Sequence, residues 1–182
     1  LAVPGRELLG VHPAMEYFRW ANRAEEGDVA ESPACAEGKD VVIVGGGDTG
    51  ADCLGTAHRQ RARSVTHVDI RPRPPGRRTQ DMPWPTYPAI YRSSAAHEEG
   101  GTRLFSVDTI EFLGDGRGRL RAIRHIPAAS RRTLLDGFSA VDQLENTMAI
   151  ADVCRLAAEA NERLSIAFVV VGSQVSLGRL RQ

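Results

Sequence analysis

The sequence predicts an α/β protein, a Rossmann-like parallel sheet with a small antiparallel β-hairpin excursion. Three observations predict it. Residues 39–44 (KDVVIV) are an apolar run entered from a charged pair, which is how a parallel strand buried on both faces reads. The run stops at Gly45, Gly46 and Gly47, and residues 48–60 then take up helical spacing. Residues 64–70 (SVTHVDI) are again β-rich, so strand, glycine turn, helix and strand fit the length of one βαβ unit, about thirty residues.

Each element follows in order. Residues 1–38 read as a lead-in: Pro4-Gly5 is a turn signal, and residues 14–23 (AMEYFRWANR) form a short helix with Ala14, Met15 and Phe18 facing inward. Residues 25–38 are polar and loop-like. In the helix after the glycines, Ala51, Leu54, Gly55 and His58 recur at spacings of three and four and mark its inner face. Residues 71–88 carry six of the chain's ten prolines, which excludes a regular helix or a central strand. Residues 90–99 are predicted helical up to Gly100-Gly101, with a β segment over 102–107. Residues 109–113 and 119–126 then form a hairpin turned at Asp115-Gly116. Later, residues 146–164 are an amphipathic helix and residues 166–171 (IAFVVV) a buried strand ending at Gly172. The resulting division is a lead-in over 1–38 and an NAD(P)H-binding βαβ core with its Pro-rich loop and hairpin over 39–126. A tail over 127–182 is left unassigned, its helix and strand being candidates to close the same domain.

Bulk properties narrow the function classes. At 182 residues, 42% hydrophobic and 25% charged, the chain suits a soluble globular domain that buries a core. Basic and acidic residues number 23 each, so no global field points to nucleic acid or an anionic membrane. Its apolar runs are too short to span a bilayer. Cys35, Cys53 and Cys154 form neither a CxxC pair nor a Cys/His set of zinc spacing, which argues against a redox dithiol and against a metal site. Without a secretory signal they fit a reducing cytoplasm. The chain begins at Leu1 rather than Met, as a piece of a longer protein or a processed N-terminus would.

The chemistry lies in Gly45-x-Gly47-x-x-Gly50, which matches G-x-G-x-x-G in its required setting between a buried strand and a helix. The first glycine permits the tight turn, the second lets backbone approach a pyrophosphate, and the third lets helix and sheet pack closely. The helix then presents unpaired N–H groups and its positive dipole end to phosphate, and Asp48 or Thr49 is placed to cap it or to bond the ligand. After the second strand, an acidic residue favours a free ribose 2′-hydroxyl and arginines favour a 2′-phosphate. Both are present: Asp69, in a register that turns it away from the ribose, and Arg71, Arg73, Arg77 and Arg78. The cluster favours NADPH over NADH. His97, Glu98 and Glu99 read either as an acid/base set or, by preference, as a solvated helix end. Residues 81–85 (DMPWP) make a stiff aromatic loop suited to packing over a ligand or against a partner domain.

Residues 3–17 (VPGRELLGVHPAMEY), 38–60 (GKDVVIVGGGDTGADCLGTAHRQ), 64–70, 77–88 (RRTQDMPWPTYP) and 97–100 (HEEG) together resemble the small (beta) subunit of glutamate synthase. The resemblance covers about residues 1–126. It implies a flavoprotein related to the pyridine nucleotide–disulphide oxidoreductases. That flavoprotein passes hydride from NADPH to FAD, and electrons through iron–sulphur clusters to a large subunit that makes glutamate from 2-oxoglutarate and glutamine. It further implies that Gly45, Gly46, Gly47, Asp48, Thr49 and Gly50 hold the NADPH pyrophosphate, with Arg71 and Arg78 the candidates for the 2′-phosphate. The family's FAD fingerprint, cluster cysteines and C-terminal FAD-contacting segment have no counterpart here, so FAD enters only through regions outside this chain, and the chain alone is not expected to turn over. A truncated, non-catalytic dinucleotide-binding or interaction module is the alternative. A nucleotide-sugar or methyl-transfer Rossmann enzyme would have to explain the arginines without a 2′-phosphate.

Overall fold

The computed structural model describes residues 2–129 and 166–171. In chain order these form β1 (Val11–Pro13), α1 (Ala14–Glu25), β2 (Asp40–Val44), α2 (Asp48–Arg59), β3 (Ser64–Val68), α3 (Ala95–Glu98), β4 (Thr102–Leu104), β5 (Val107–Gly114), β6 (Leu120–Pro127) and β7 (Ile166–Val171). Five strands make one sheet in the order β1-β7-β2-β3-β4, each neighbouring pair parallel. β5 and β6 form a separate antiparallel pair. The helix expected over residues 146–164, and Gly172, lie outside the described residues.

β2 organises the packing. It is hydrogen-bonded to β7 on one side and β3 on the other, and its side chains alternate between two cores. Val41 and Ile43 join Ala14 and Tyr17 of α1 and Cys53, Leu54 and Ala57 of α2. Val42 and Val44 meet Phe112 and Leu120 of the hairpin and Val171 of β7. The molecule is therefore three layers thick: helices, parallel sheet, hairpin. Each fully buried aliphatic side chain contributes roughly 1.5–3 kcal/mol, so both faces of β2 favour the same register.

The lead-in holds more than the sequence indicated. Val11–Pro13 is a strand, paired in register with Val169–Val171, and the segment before it is laced along the hairpin. Phe112 N–H donates to the Pro4 carbonyl (2.9 Å), Leu9 N–H to Gly118 (3.0 Å) and Leu120 N–H to Leu9 (2.9 Å). Gly5 is required there, because at its φ of +80° a Cβ would lie 2.0 Å from the Phe112 carbonyl oxygen.

Other elements depart from expectation for identifiable reasons. Met15 is 68% exposed, while Ala14 and Tyr17, one helical turn apart, take the inner face of α1. Tyr17 is tolerated at the core because its hydroxyl donates to Gln60 Oε1 (2.9 Å), which also accepts from Ala36 N–H (2.9 Å). Of residues 90–99 only Ala95–Glu98 is helical. Tyr91 instead bonds the Pro75 carbonyl through its N–H (2.8 Å), and its ring lies between the guanidinium groups of Arg73 and Arg103, at 4.6 and 4.8 Å. The hairpin turns where the sequence places it: Asp115 Oδ1 accepts from the N–H groups of Arg117 (2.7 Å) and Arg119 (3.1 Å), which hold its carboxyl below the usual range.

The hairpin also contains a pH liability. His125 of β6 faces Thr109 of β5, with Nδ1 and Oγ1 3.1 Å apart, and burial pushes its pKa down to about 4 against the opposing pull of Asp108. The unfolded chain binds this proton near pH 6.5 and the fold resists it. The contribution is therefore whole above 6.5 and lost as pH falls toward 4, on the order of 3 kcal/mol at the bottom of that window. His12, His67 and His97 are shifted in the same direction. Urea unfolding should show a lower midpoint at pH 4.5 than at pH 7, and His125→Gln should shrink that difference.

Candidate functional site

The glycine turn leaves the sheet at the carboxyl ends of three strands, for Val44 is paired with Val68 of β3 and Val171 of β7. This is the edge at which open parallel sheets bind ligands. Gly45 N–H still donates to the Val68 carbonyl (2.9 Å). The chain then turns at Gly45, whose φ of +124° few L-residues adopt, and α2 starts with Gly47 as its N-cap. No side chain caps this helix. Asp48 and Thr49 fall one and two positions too late to do so, which corrects the capping expectation and leaves the first turn without a side-chain cap.

The four glycines are not equivalent. A Cβ on Gly46 would sit 1.8 Å from Asp69 Oδ2, and one on Gly50 would sit 2.1 Å from the Gly45 carbonyl oxygen and 2.7 Å from His67 Nε2. Together with the positive φ at Gly45, these constraints come from the protein itself. Gly47 is different. Its backbone is extended (φ −87°, ψ −179°), which any residue adopts, and a Cβ there would meet nothing within 4 Å. Neither conformation nor protein packing requires glycine at this position.

Asp69 follows β3, which ends at Val68 rather than Ile70. The carboxylate does not turn away from the turn: it lies against Gly46 and is held by Arg71. Asp69 Oδ1 accepts from Arg71 N (3.0 Å) and Nε (3.2 Å), and Oδ2 from Arg71 Nη2 (3.2 Å). Arg71 Nη2 also donates to the Gly46 carbonyl (3.1 Å), so it joins the end of β3 to the glycine turn while its side chain stays 65% exposed. Arg78 is employed differently. Its Nη1 donates to the carbonyls of Met82 (2.8 Å) and Thr86 (2.9 Å), closing the Pro-rich loop on itself. Trp84 (84%) and Tyr87 (77%) stand exposed on that loop.

Two histidines lie beneath the turn, and to one of them, His67, the sequence assigned no role. His67, 3% exposed, places Nε2 at 2.7 Å from the Gly45 carbonyl oxygen. The His97 ring stacks on it, centroids 5.6 Å apart and planes 10° apart. Burial holds both imidazoles below their usual pKa, His67 against the contrary effect of the Gly45 bond, and Arg103 lowers both further. His97 is half-buried against His67, while Glu98 and Glu99 are exposed at the end of α3, as expected of a solvated helix end, and Glu99 pairs with Arg59 of α2 (2.8 Å). The alternation of Val65 and His67 in β3 was the available signal that His67 faces α2. Among the described residues no group of three or more His, Cys, Asp or Glu is arranged to hold a metal ion, and no helix is long and apolar enough to cross a membrane.

Fold and turn together define a Rossmann-like α/β unit with a glycine turn between β2 and α2. Comparison with known proteins places the chain more closely: it is homologous to a segment of the glutamate synthase small chain. The glutamate synthase [NADPH] small chain of Mycobacterium tuberculosis is 57% identical over 142 residues, 75% of this chain and 28% of the relative. That of Bacillus subtilis is 36% identical over 134 residues, 69% of this chain and 27% of the relative. The glutamate synthase [NADH] of Schizosaccharomyces pombe is 36% identical over 138 residues, 69% of this chain and 6% of its own length. The chain thus spans little more than a quarter of the bacterial relatives. No family model matches it. Among solved structures, Mycobacterium tuberculosis FprA in complex with NADPH covers 69% of this chain and 43% of its own at 15% identity, with a TM-score of 0.39, too low to carry weight.

The unequal glycines give a direct test. Gly50→Ala should destabilise the fold by roughly 1–3 kcal/mol through overpacking against Gly45 and His67. Gly47→Ala should change the unfolding free energy by no more than about 0.5 kcal/mol, the range of surface substitutions, and so barely move the thermal midpoint. Differential scanning fluorimetry of the two variants distinguishes them.

Proposed function

We propose that this chain is the NADPH-binding part of a flavin-linked oxidoreductase of the glutamate synthase small-chain kind. The reading rests on Gly47: of the four glycines, it alone is required neither by backbone conformation nor by protein packing, and it caps the open end of α2. A side chain missing where the protein leaves space is what close approach of a pyrophosphate calls for. In this reading Gly45 to Gly50 and the first turn of α2 hold the phosphates through backbone N–H groups. NADPH supplies a hydride to an FAD held outside the chain. The chain's own task is to bind and orient the dinucleotide. The working partners are the FAD domain and the glutamate synthase large subunit, in the cytoplasm.

The preference for NADPH has a physical basis in the Asp69–Arg71 pair. Both carboxylate oxygens of Asp69 already accept from Arg71, which makes them poorer acceptors for a ribose 2′-hydroxyl. The exposed guanidinium of Arg71 is available to a 2′-phosphate. Arg78 would contribute with the N–H groups it does not spend on Met82 and Thr86.

Calorimetric titration of the chain with NADPH and NADH tests the reading, and absence of binding to either at millimolar concentration would overturn it. Gly47→Val should retain the wild-type circular dichroism and thermal midpoint yet lose roughly tenfold or more in NADPH affinity. Arg71→Ala should weaken NADPH more than NADH; equal losses would reject the 2′-phosphate role.

A further inference from the structure

We propose that His67 is the positioning residue of the dinucleotide turn, fixing the Gly45–Gly46 peptide so that the Gly46 N–H is turned toward the ligand side. The proposal rests on the dinucleotide reading above and goes beyond it, since the glycine fingerprint contains no histidine.

The chemistry at the bond is one-directional. A carbonyl oxygen only accepts, so the 2.7 Å contact requires the proton on His67 Nε2. Nδ1 is then a bare lone pair, and it is buried without a hydrogen-bond partner. A trans peptide sets its C=O and N–H in opposite directions. Drawing the Gly45 oxygen inward to His67 therefore turns the Gly46 amide away from the core, to the side on which Gly47 leaves open space. Without the imidazole, a peptide between two glycines has wide conformational freedom, and the amide has no reason to stay presented.

The surroundings are built for this bond. Gly50 leaves room for it, since a Cβ there would strike both the Gly45 oxygen and His67 Nε2. The close helix–sheet approach expected of the third glycine is thus, in this molecule, the space that the histidine and carbonyl share. Behind His67, the stacked His97 ring fixes the imidazole plane. His97 is itself held through Nδ1, which accepts from Ser94 N–H (3.2 Å) and lies 2.8 Å from Ser94 Oγ. A line of support runs from Ser94 through His97 and His67 to the turn, which gives the histidine of the HEEG stretch a task that its neighbouring glutamates do not share.

Two arms test the proposal, using His67→Leu, which removes the donor, and His67→Gln, whose amide nitrogen can reach the same oxygen. In the first arm no nucleotide is present. Long-range ¹H–¹⁵N correlation should show the Nε2–H tautomer at His67, and the Gly46 and Gly47 amide resonances should move in His67→Leu and stay near wild type in His67→Gln. In the second arm, NADPH titration at a temperature where all variants are folded should show about a tenfold loss for His67→Leu, the scale of one hydrogen bond. His67→Gln should recover most of that loss. An Nδ1–H tautomer, unmoved glycine amides in His67→Leu, or a glutamine variant as impaired as the leucine one would each overturn the proposal. If the wild-type chain fails to bind NADPH, the dinucleotide reading falls, and the first arm still decides whether His67 orients the turn.

Discussion

Everything in this structure depends on β2 being closed on all four sides. Its two edges are hydrogen-bonded to β7 and β3, and its two faces are covered by helices and hairpin. A strand in that position has no water to satisfy its backbone, so its register must be correct along its whole length. That rigidity is exported at Gly45. The first residues beyond the strand are held from one side by Val68 and from below by His67, and α2 begins from a fixed point. A site assembled on backbone amides needs such an anchor, because it has no side chains with which to correct a misplaced peptide.

What could be read in the sequence was the part whose signal is local. KDVVIV, the glycines and the spacing of Ala51, Leu54 and Gly55 each carry their pattern within a dozen residues, and β2, the turn and α2 follow from them. Asp115-Gly116 announced the hairpin for the same reason. β1 was not legible: three residues, one of them proline, carry no β period of their own, and Val11–Pro13 is a strand only because β7 lies alongside. Residues 90–94 (IYRSS) have little helix propensity apart from Arg92, and they are held by the Tyr91–Pro75 bond and the arginines at the Tyr91 ring. Met15 and Tyr17 show the limit of polarity as a guide, since the phenol with a buried acceptor at Gln60 displaced the thioether.

The same division holds within the site. The fingerprint glycines could be named, but not the different constraint on each, which needs the positions of Asp69, Gly45 and His67. The arginine cluster was visible as a charge pattern, yet its members separate in space: Arg71 bridges Asp69 and Gly46, Arg73 covers Tyr91, and Arg78 closes its own loop. Sequence distance along a proline-rich segment says little about which cation faces the strand ends, because the loop's path is set by local contacts such as those of Arg78 together with distant ones, Tyr91 to Pro75 and Arg103 to Arg92.

The placement of β7 also has a consequence for the order in which the molecule can be made. Roughly 120 residues separate Val44 from its β7 partners, so a ribosome working at about 5–20 residues per second finishes β2 some 6–24 s before its neighbour exists. Through that interval one edge of the central strand, and the edge of β1 that will receive the same partner, stay open in the nascent chain. An unpaired apolar edge is a template for pairing with another chain. β7 therefore completes the sheet between β1 and β2, inside the sheet rather than at its rim, and the nascent polypeptide carries two open strand edges until β7 has been made.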